Sequence, residues 1–282
     1  MAAAPLVARQ VFAGSVQPRH PVNPARPLAG VRVLDLTRVL AGPTATRFLA
    51  GFGADVLRID PASWNEPGVV PEMTLGKRCA QLELDRPEDR ATLETLLAQA
   101  DVMVHGYRSD ALEHLGLDAE RRRALNPALV DVALDAYGWS GPWAGRRGFD
   151  SLVQMSSGIA DFGMKQKGSD QPVPLPVQAL DHATGYLLAA SVLRGLALRQ
   201  QSGQGSQYRL SLARTARLLA DYPAVSGQLP LAPETMADVH PHLEMTVWGP
   251  ARRLRGPLGV GVAAMAWDRP ASPLRSVQPA WS

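Results

Sequence analysis

The chain has 282 residues, 46% of them hydrophobic and 20% charged, with 29 basic against 26 acidic side chains. That length holds one large domain or two small ones, with a core needing no disulfide or metal staple. The near-balanced charge excludes a polyelectrolyte tail protein and argues against nucleic acid as a partner. The lone cysteine, Cys79, excludes a disulfide framework and a cysteine-rich metal cluster, and points to a reducing, cytoplasmic setting.

Residues 1–26 contain Arg9, Arg19, Arg26 and His20, several prolines and no acid. They read as a disordered extension, with an organelle (mitochondrial) transit segment as the alternative. Folding signals begin near Leu28. Val31, Val33, Leu34 and Leu36 form a short apolar run that predicts a buried strand. Gly42 and Pro43 open a helix through Leu49, and Val56 to Ile59 predict the next strand. This is a strand–helix–strand unit of about 30 residues.

The alternation continues. Gln81, Leu82 and Leu84 suggest a strand. Asp85, Pro87 and Glu88 read as the start of a helix running to Ala100. Val102 to Val104 is a further strand, Ser109 and Asp118 cap two short helices, and Leu129 to Leu134 is another strand. Arg121 to Arg123 read as solvated. Alternating elements predict an α/β fold with a Rossmann-like, doubly wound, mostly parallel sheet. Ligands in such sheets bind outside the carboxyl ends of the strands. The exits to watch are Thr37–Ala41, Asp60–Ala62, His105–Arg108 and Asp135–Gly138.

A glycine-rich turn over 138–148 leads into a helix from Phe149 to Ser157, and the polar stretch 163–176 reads as a surface loop. A long helix runs from about Asp181 to Gln200 and is closed by Gly203. Tyr208, Leu210 and Leu212 alternate with polar residues as a half-buried strand. After Tyr222 the chain is proline-rich and reads as an extended tail. No stretch approaches the ~18 apolar residues of a membrane span, so no membrane partner is expected.

The first strand is followed by Thr37-Arg38-Val39-Leu40-Ala41-Gly42-Pro43, which is neither a dinucleotide fingerprint nor a phosphate-binding loop. A Gly-x-Ser-x-Gly elbow is also absent. His240 and His242 lack partners of metal-site type, so no metal is expected. Asp181 opens the long helix. It suits a helix cap, and it suits a carboxylate nucleophile at a helix start, where backbone N–H groups stabilise negative charge. Lys77-Arg78, Arg58 and Arg108 suit either solvated positions or phosphate contacts.

Taken in order, these segments resemble the family III coenzyme A transferases, which include formyl-CoA:oxalate and carnitine CoA-transferases and α-methylacyl-CoA racemase. The matching pieces run from Pro27-Leu28-Ala29-Gly30-Val31-Arg32-Val33-Leu34-Asp35-Leu36-Thr37 through Ala41-Gly42-Pro43, Gly76-Lys77-Arg78 and Gly148-Phe149-Asp150. They end at Leu180-Asp181-His182-Ala183-Thr184-Gly185 and Gly203-Gln204-Gly205. The resemblance implies an acyl-CoA:carboxylate CoA-transferase with a catalytic Asp181, acyl-CoA and a carboxylic acid as substrates, no metal, and an interlaced homodimer. It places coenzyme A contacts at Arg38, Val39, Leu40, Ala41, Arg58, Lys77, Arg78, Gly106, Tyr107 and Arg108, with the Tyr137 loop nearby. Two alternatives stand beside it. One is a CoA-binding half that is inactive alone or depends on a partner half; the other is an α-carbon racemase. Racemases of the family carry histidine where Phe149 stands, and phenylalanine cannot exchange a proton.

The resemblance gives 27–222 as the large domain and 223–282 as a linker and C-terminal return. The family's separate small domain, of order 100 residues, is expected to be missing, because Trp248-Gly249-Pro250 follows the Tyr222 region almost directly.

Overall fold

The computed structural model describes residues 4–13, 23–108, 110–222 and 232–282. Its centre is a seven-stranded sheet. In chain order the strands are β1 (Ala8–Phe12), β2 (Arg32–Leu36), β3 (Asp55–Asp60), β4 (Lys77–Gln81), β5 (Val102–His105), β6 (Val130–Asp135) and β7 (Gly205–Ser211). Their spatial order is β1-β7-β6-β5-β2-β3-β4. β2 to β7 are mutually parallel, and β1 runs antiparallel along β7. The expected doubly wound α/β sheet is present. Its strand order reverses between β2 and β5, which is where such folds open a crevice.

The strands are buried on both faces, as a parallel sheet demands. Val33, Val56, Val102, Val104, Val130 and Val132 point to one face. There they meet Ala45 and Leu49 of α1 (Ala41–Gly51) and Leu188 and Val192 of a 24-residue helix (Ala179–Ser202). Leu34, Leu57, Ile59 and Met103 point to the other face, against Leu93, Leu96 and Leu97 of α3 (Pro87–Gln99). The remaining helices are α2 (Val70–Met73), α4 (Ala111–His114), α5 (Ala119–Leu125), α6 (Asp150–Ser156), α7 (Ile159–Lys167) and α9 (Leu212–Asp221). The 24-residue helix is α8. Gly185 of α8 lets it lie against α1, since a Cβ there would come within 2.6 Å of the Ala41 carbonyl oxygen.

Several expectations are corrected. Residues 8–12 are not outside the fold. β7 presents a free row of N–H and C=O groups, and five residues pair with it through backbone alone, which needs no apolar pattern. β4 begins at Lys77, earlier than the Gln81–Leu84 reading, because the charge of Lys77 is neutralised inside the core. α3 is entered through Arg86, so Asp85 is not its cap. Asp118 does cap α5, accepting from Arg121 N–H at 2.7 Å, whereas Ser109 lies outside the described residues. Arg122 is not solvated. Asp131 on β6 faces α5 in the core and draws the guanidinium in, at 2.7 Å. The 163–176 stretch is helical as far as Lys167, with Gly168 ending α7 in the left-handed region at φ 59°.

Beyond residue 231 the chain forms two short hairpins, β8 (Glu244–Thr246) with β9 (Gly249–Ala251) and β10 (Gly259–Val260) with β11 (Ala263–Ala264). It then crosses back over α1 and β4. Trp267 Nε1 donates to Arg47 O at 2.9 Å, Val277 N–H donates to Cys79 O at 3.0 Å, and Trp281 Nε1 donates to Leu96 O at 3.1 Å.

Candidate active site

A cleft of about 570 Å³ opens at the strand-order reversal. Three of the four strand exits marked in the sequence line it: Thr37–Ala41 after β2, Gly106–Arg108 after β5, and Asp135–Ala136 after β6. Trp64, Arg146, Arg147, Gly148, Phe149, Asp181 and Leu212 complete its wall. The cleft therefore carries four arginines, Arg38, Arg108, Arg146 and Arg147, against two acids, Asp135 and Asp181. Such a lining favours an anionic ligand.

The β2 exit is held in an unusual shape. Val39 has φ 65°, a left-handed conformation that a β-branched residue rarely adopts. Its N–H donates to Glu66 Oε2 at 2.9 Å, and the same carboxylate takes the Trp64 Nε1–H at 3.0 Å. Arg38 then lies over the Trp64 ring, 4.5 Å from its centroid, with Tyr107 5.6 Å away on the β5 exit. The guanidinium is pre-oriented at the cleft wall by the two aromatic rings, an arrangement worth ~0.5–2 kcal/mol per contact.

Asp181 sits in the first turn of α8, three residues after the N-cap residue Gln178, so it is not the cap itself. It is only 7% exposed and lines the cleft. Its N–H donates to Asp150 Oδ2 at 2.9 Å. Burial, and then the negative charge of Asp150, push the Asp181 carboxyl up to about 7. A carboxylate of that basicity is a stronger nucleophile and proton acceptor than an exposed aspartate. Asp135 is also pushed up by burial, although the Tyr137 and Gly138 N–H groups each reach it at 2.8 Å.

The structure sorts the expected coenzyme contacts into two groups. Arg38, Val39, Leu40, Ala41, Gly106, Tyr107, Arg108 and Asp181 share the cleft. Tyr137 is not on the cleft wall but lies against Gly148, which is, edge-on to Trp143 and hydrogen-bonded to Ser156 Oγ at 3.2 Å. Lys77, Arg58 and Arg78 do not reach it. Lys77 is buried, with Nζ 3.0 Å from Asp35 Oδ2 and 2.6 Å from Thr46 Oγ1. Arg58 is buried against Asp60 and Glu66. Arg78 pairs with Asp55 and with the Ala280 carbonyl at the opposite sheet edge. All three are held by carboxylates on the sheet or on the loop after β3; the i,i+2 pairing of Arg58 with Asp60 on β3 follows from strand spacing, whereas those of Lys77 with Asp35 and Arg78 with Asp55 do not. The sequence reading also passed over Trp64, Glu66, Arg146 and Arg147. The turn-rich segment that follows the marked Asp60–Ala62 exit was the available signal for the first two.

The chain belongs to CoA-transferase family III, whose profile matches residues 28–242. It is 31% identical over 244 residues to succinate–glutarate CoA-transferase of Agrobacterium fabrum, covering 78% of this chain and 60% of that protein. It is 34% identical over 201 residues to acetyl-coenzyme A transferase nodX of Hypoxylon pulicicidum, covering 70% of this chain and 34% of that one. The crystal structure of Rv3272 from M. tuberculosis is similar at 32% identity with a TM-score of 0.64, over 70% of this chain and 58% of that one. The chain thus spans about a third to three-fifths of the length of these relatives.

Proposed function

We propose that this chain carries the catalytic aspartate and much of the coenzyme site of an acyl-CoA:carboxylate CoA-transferase. The observation that carries the reading is Asp181, a buried carboxylate of raised basicity in an arginine-lined cleft at the strand exits. An Asp181 oxygen attacks the donor thioester carbonyl. The C–S bond breaks, and coenzyme A leaves as thiolate from an acyl–aspartyl anhydride. The thiolate then attacks the Asp181 carbonyl carbon, releasing the donor acid and leaving an aspartyl-CoA thioester. The acceptor carboxylate attacks that thioester and expels the thiolate again. The thiolate takes the acceptor acyl group from this second anhydride and regenerates the Asp181 carboxylate.

Arg38, Arg108, Arg146 and Arg147 supply positive charge for the phosphates and for the acid substrates. The N–H groups at the start of α8 favour the oxyanions formed around Asp181. The relatives named for succinate and glutarate support dicarboxylic acids as the first substrates to try.

A second reading is a CoA-binding chain that turns over only with a further family chain. It is favoured by the naming of one relative, from Chloroflexus aurantiacus, as a beta subunit. Racemisation is less well supported, since Phe149 stands at the cleft with no titratable group. Incubation with succinyl-CoA and related thioesters, followed by hydroxylamine, is expected to convert Asp181 to a hydroxamate seen by mass spectrometry. Coenzyme A binding without an adduct, and an adduct on adding a second family chain, would select the second reading. Neither binding nor adduct sinks both.

A further inference from the structure

We propose that Asp150 is a positioning residue for Asp181, capping α8 from a neighbouring helix and setting through its charge the pH at which Asp181 reacts. The part concerning reaction rests on Asp181 as nucleophile; the part concerning the two carboxylates does not.

The first four N–H groups of a helix have no partner within it. The residue before α8, Gln178, makes no side-chain cap. The Asp181 N–H is instead taken by Asp150 Oδ2, from 31 positions earlier in the chain, at 2.9 Å. Asp150 is itself 2% exposed and opens α6. Its Oδ1 accepts from Gln154 Nε2, one turn along the same helix. Gln154 in turn donates to Val177 O at 3.2 Å and accepts from Leu175 N at 2.7 Å. One face of α6 therefore holds both the segment entering α8 and its first turn. Because the acceptor comes from outside, the Asp181 carboxylate is not consumed in capping and lines the cleft.

The same contact keeps a negative charge beside Asp181. Other charged groups line the cleft: Arg38 from the β2 exit, Arg108 from the β5 exit, Asp135 from the β6 exit, and Arg146 and Arg147 from the loop before α6. The α1 and α9 residues lining it, Ala41 and Leu212, are uncharged. On α8 itself His182 follows directly. Beside these stands Asp150, whose charge raises the Asp181 carboxyl alongside burial. Its effect is to disfavour the Asp181 anion, so that the carboxylate, once formed, is more basic and more reactive.

The test is a carbon-13 titration of aspartate-labelled full-length protein, with Asp181→Asn assigning the Asp181 carboxyl signal. The wild-type midpoint is expected near 7. In Asp150→Asn it is expected to move to lower pH by about one unit, a tenfold fall in proton affinity. Asparagine still accepts the Asp181 N–H but loses the bond to Gln154, so some stability falls as well. An unmoved midpoint overturns the proposal. If Asp150→Asn does not fold, Asp150→Ser, which also removes the charge, carries the test, and an unmoved Asp181 midpoint there is equally fatal. Where the acyl-CoA and hydroxylamine reaction proceeds, its half-maximal pH follows the same acid shift. A purely structural role would lower the rate at every pH without moving that point. A shifted titration with no hydroxamate in the wild type, either alone or with a second family chain added, would retain the carboxylate pair and reject Asp181 as nucleophile.

Discussion

Lys77 Nζ lies 3.0 Å from Asp35 Oδ2, and neither side chain reaches solvent. Thr37 and Thr46 hydroxyls complete the Asp35 carboxylate, and Pro43 O takes a further ammonium proton at 3.0 Å. Burial alone would push the Asp35 carboxyl up, but Lys77, Arg58 and the two threonines hold it below the usual carboxylate range. Burial lowers Lys77 in turn, partly offset by Asp35. The pair ties β2, β4 and α1 together beneath the cleft. Removing one member leaves a buried charge without its partner, at a cost of about 3–5 kcal/mol. Lys77→Met is therefore expected to lower the urea midpoint strongly while coenzyme A affinity of the folded fraction stays unchanged. Lost affinity with intact stability would place Lys77 in the ligand site after all.

Asp181 predicts a stability effect of opposite sign. Its carboxyl is raised from 3.8 to about 7 on folding, so the folded state holds the proton more tightly than the unfolded chain. Folding is unpenalised below about pH 4, and stability falls as pH rises toward 7 and the buried carboxylate ionises. Asp181→Asn removes that penalty. The variant is expected to match the wild type near pH 4 and to exceed it above pH 7 by up to about 4 kcal/mol. Urea titrations at both pH values check this. Equal stability at pH 8 would mean that Asp181 ionises without cost.

The sheet was legible because parallel strands buried on both faces write short runs dense in apolar residues, as in Val102 to Val104 and in Val33, Leu34 and Leu36 around the buried Asp35. Asp118 was legible as a cap because its partner lies three residues away. Two departures share a cause, which is charge neutralised by residues that no local spacing picks out: Lys77 is held by Asp35 and Arg122 by Asp131. Arg58 differs, since its first partner is Asp60, two residues on along β3, with Glu66 beyond it. β1 was missed for a related reason, since it is held to β7 through its backbone. Asp181 could be singled out from its place at a helix start, but the acid that caps that helix is Asp150, one helix earlier.

Val39 predicts a substitution that breaks the usual rule. Its φ of 65° costs ~1–2 kcal/mol for an L-residue, more for a β-branched one, and is held by the Glu66 carboxylate. Glycine adopts that conformation freely. Val39→Gly is thus expected to be neutral or to stabilise by up to ~1 kcal/mol, because relief of strain offsets the lost half-buried side chain. Val33→Gly, at a fully buried β2 position, is expected to cost about 3 kcal/mol or more. Similar losses for the two variants in thermal melts would show that Val39 stores no strain.

Gly185 and Gly195 separate stability from chemistry on one helix. Both lie on buried positions of α8. A Cβ at Gly185 would come within 2.6 Å of Ala41 O and 2.8 Å of Thr44 Cβ, forcing α1 away from α8. A Cβ at Gly195 would come within 2.5 Å of Val130 Cγ1, at the sheet end remote from the cleft. Overpacking at either site costs ~1–3 kcal/mol, so both alanine variants should melt earlier. Only Gly185 lies one turn from Asp181 on the same helix face and touches Ala41 of the cleft wall. Gly185→Ala is therefore expected to slow hydroxamate formation at Asp181 by tenfold or more, the scale of a small misplacement of reacting groups. Gly195→Ala is expected to leave that rate within about twofold for the folded protein. Equal slowing by the two would show that the α1–α8 contact does not place the nucleophile.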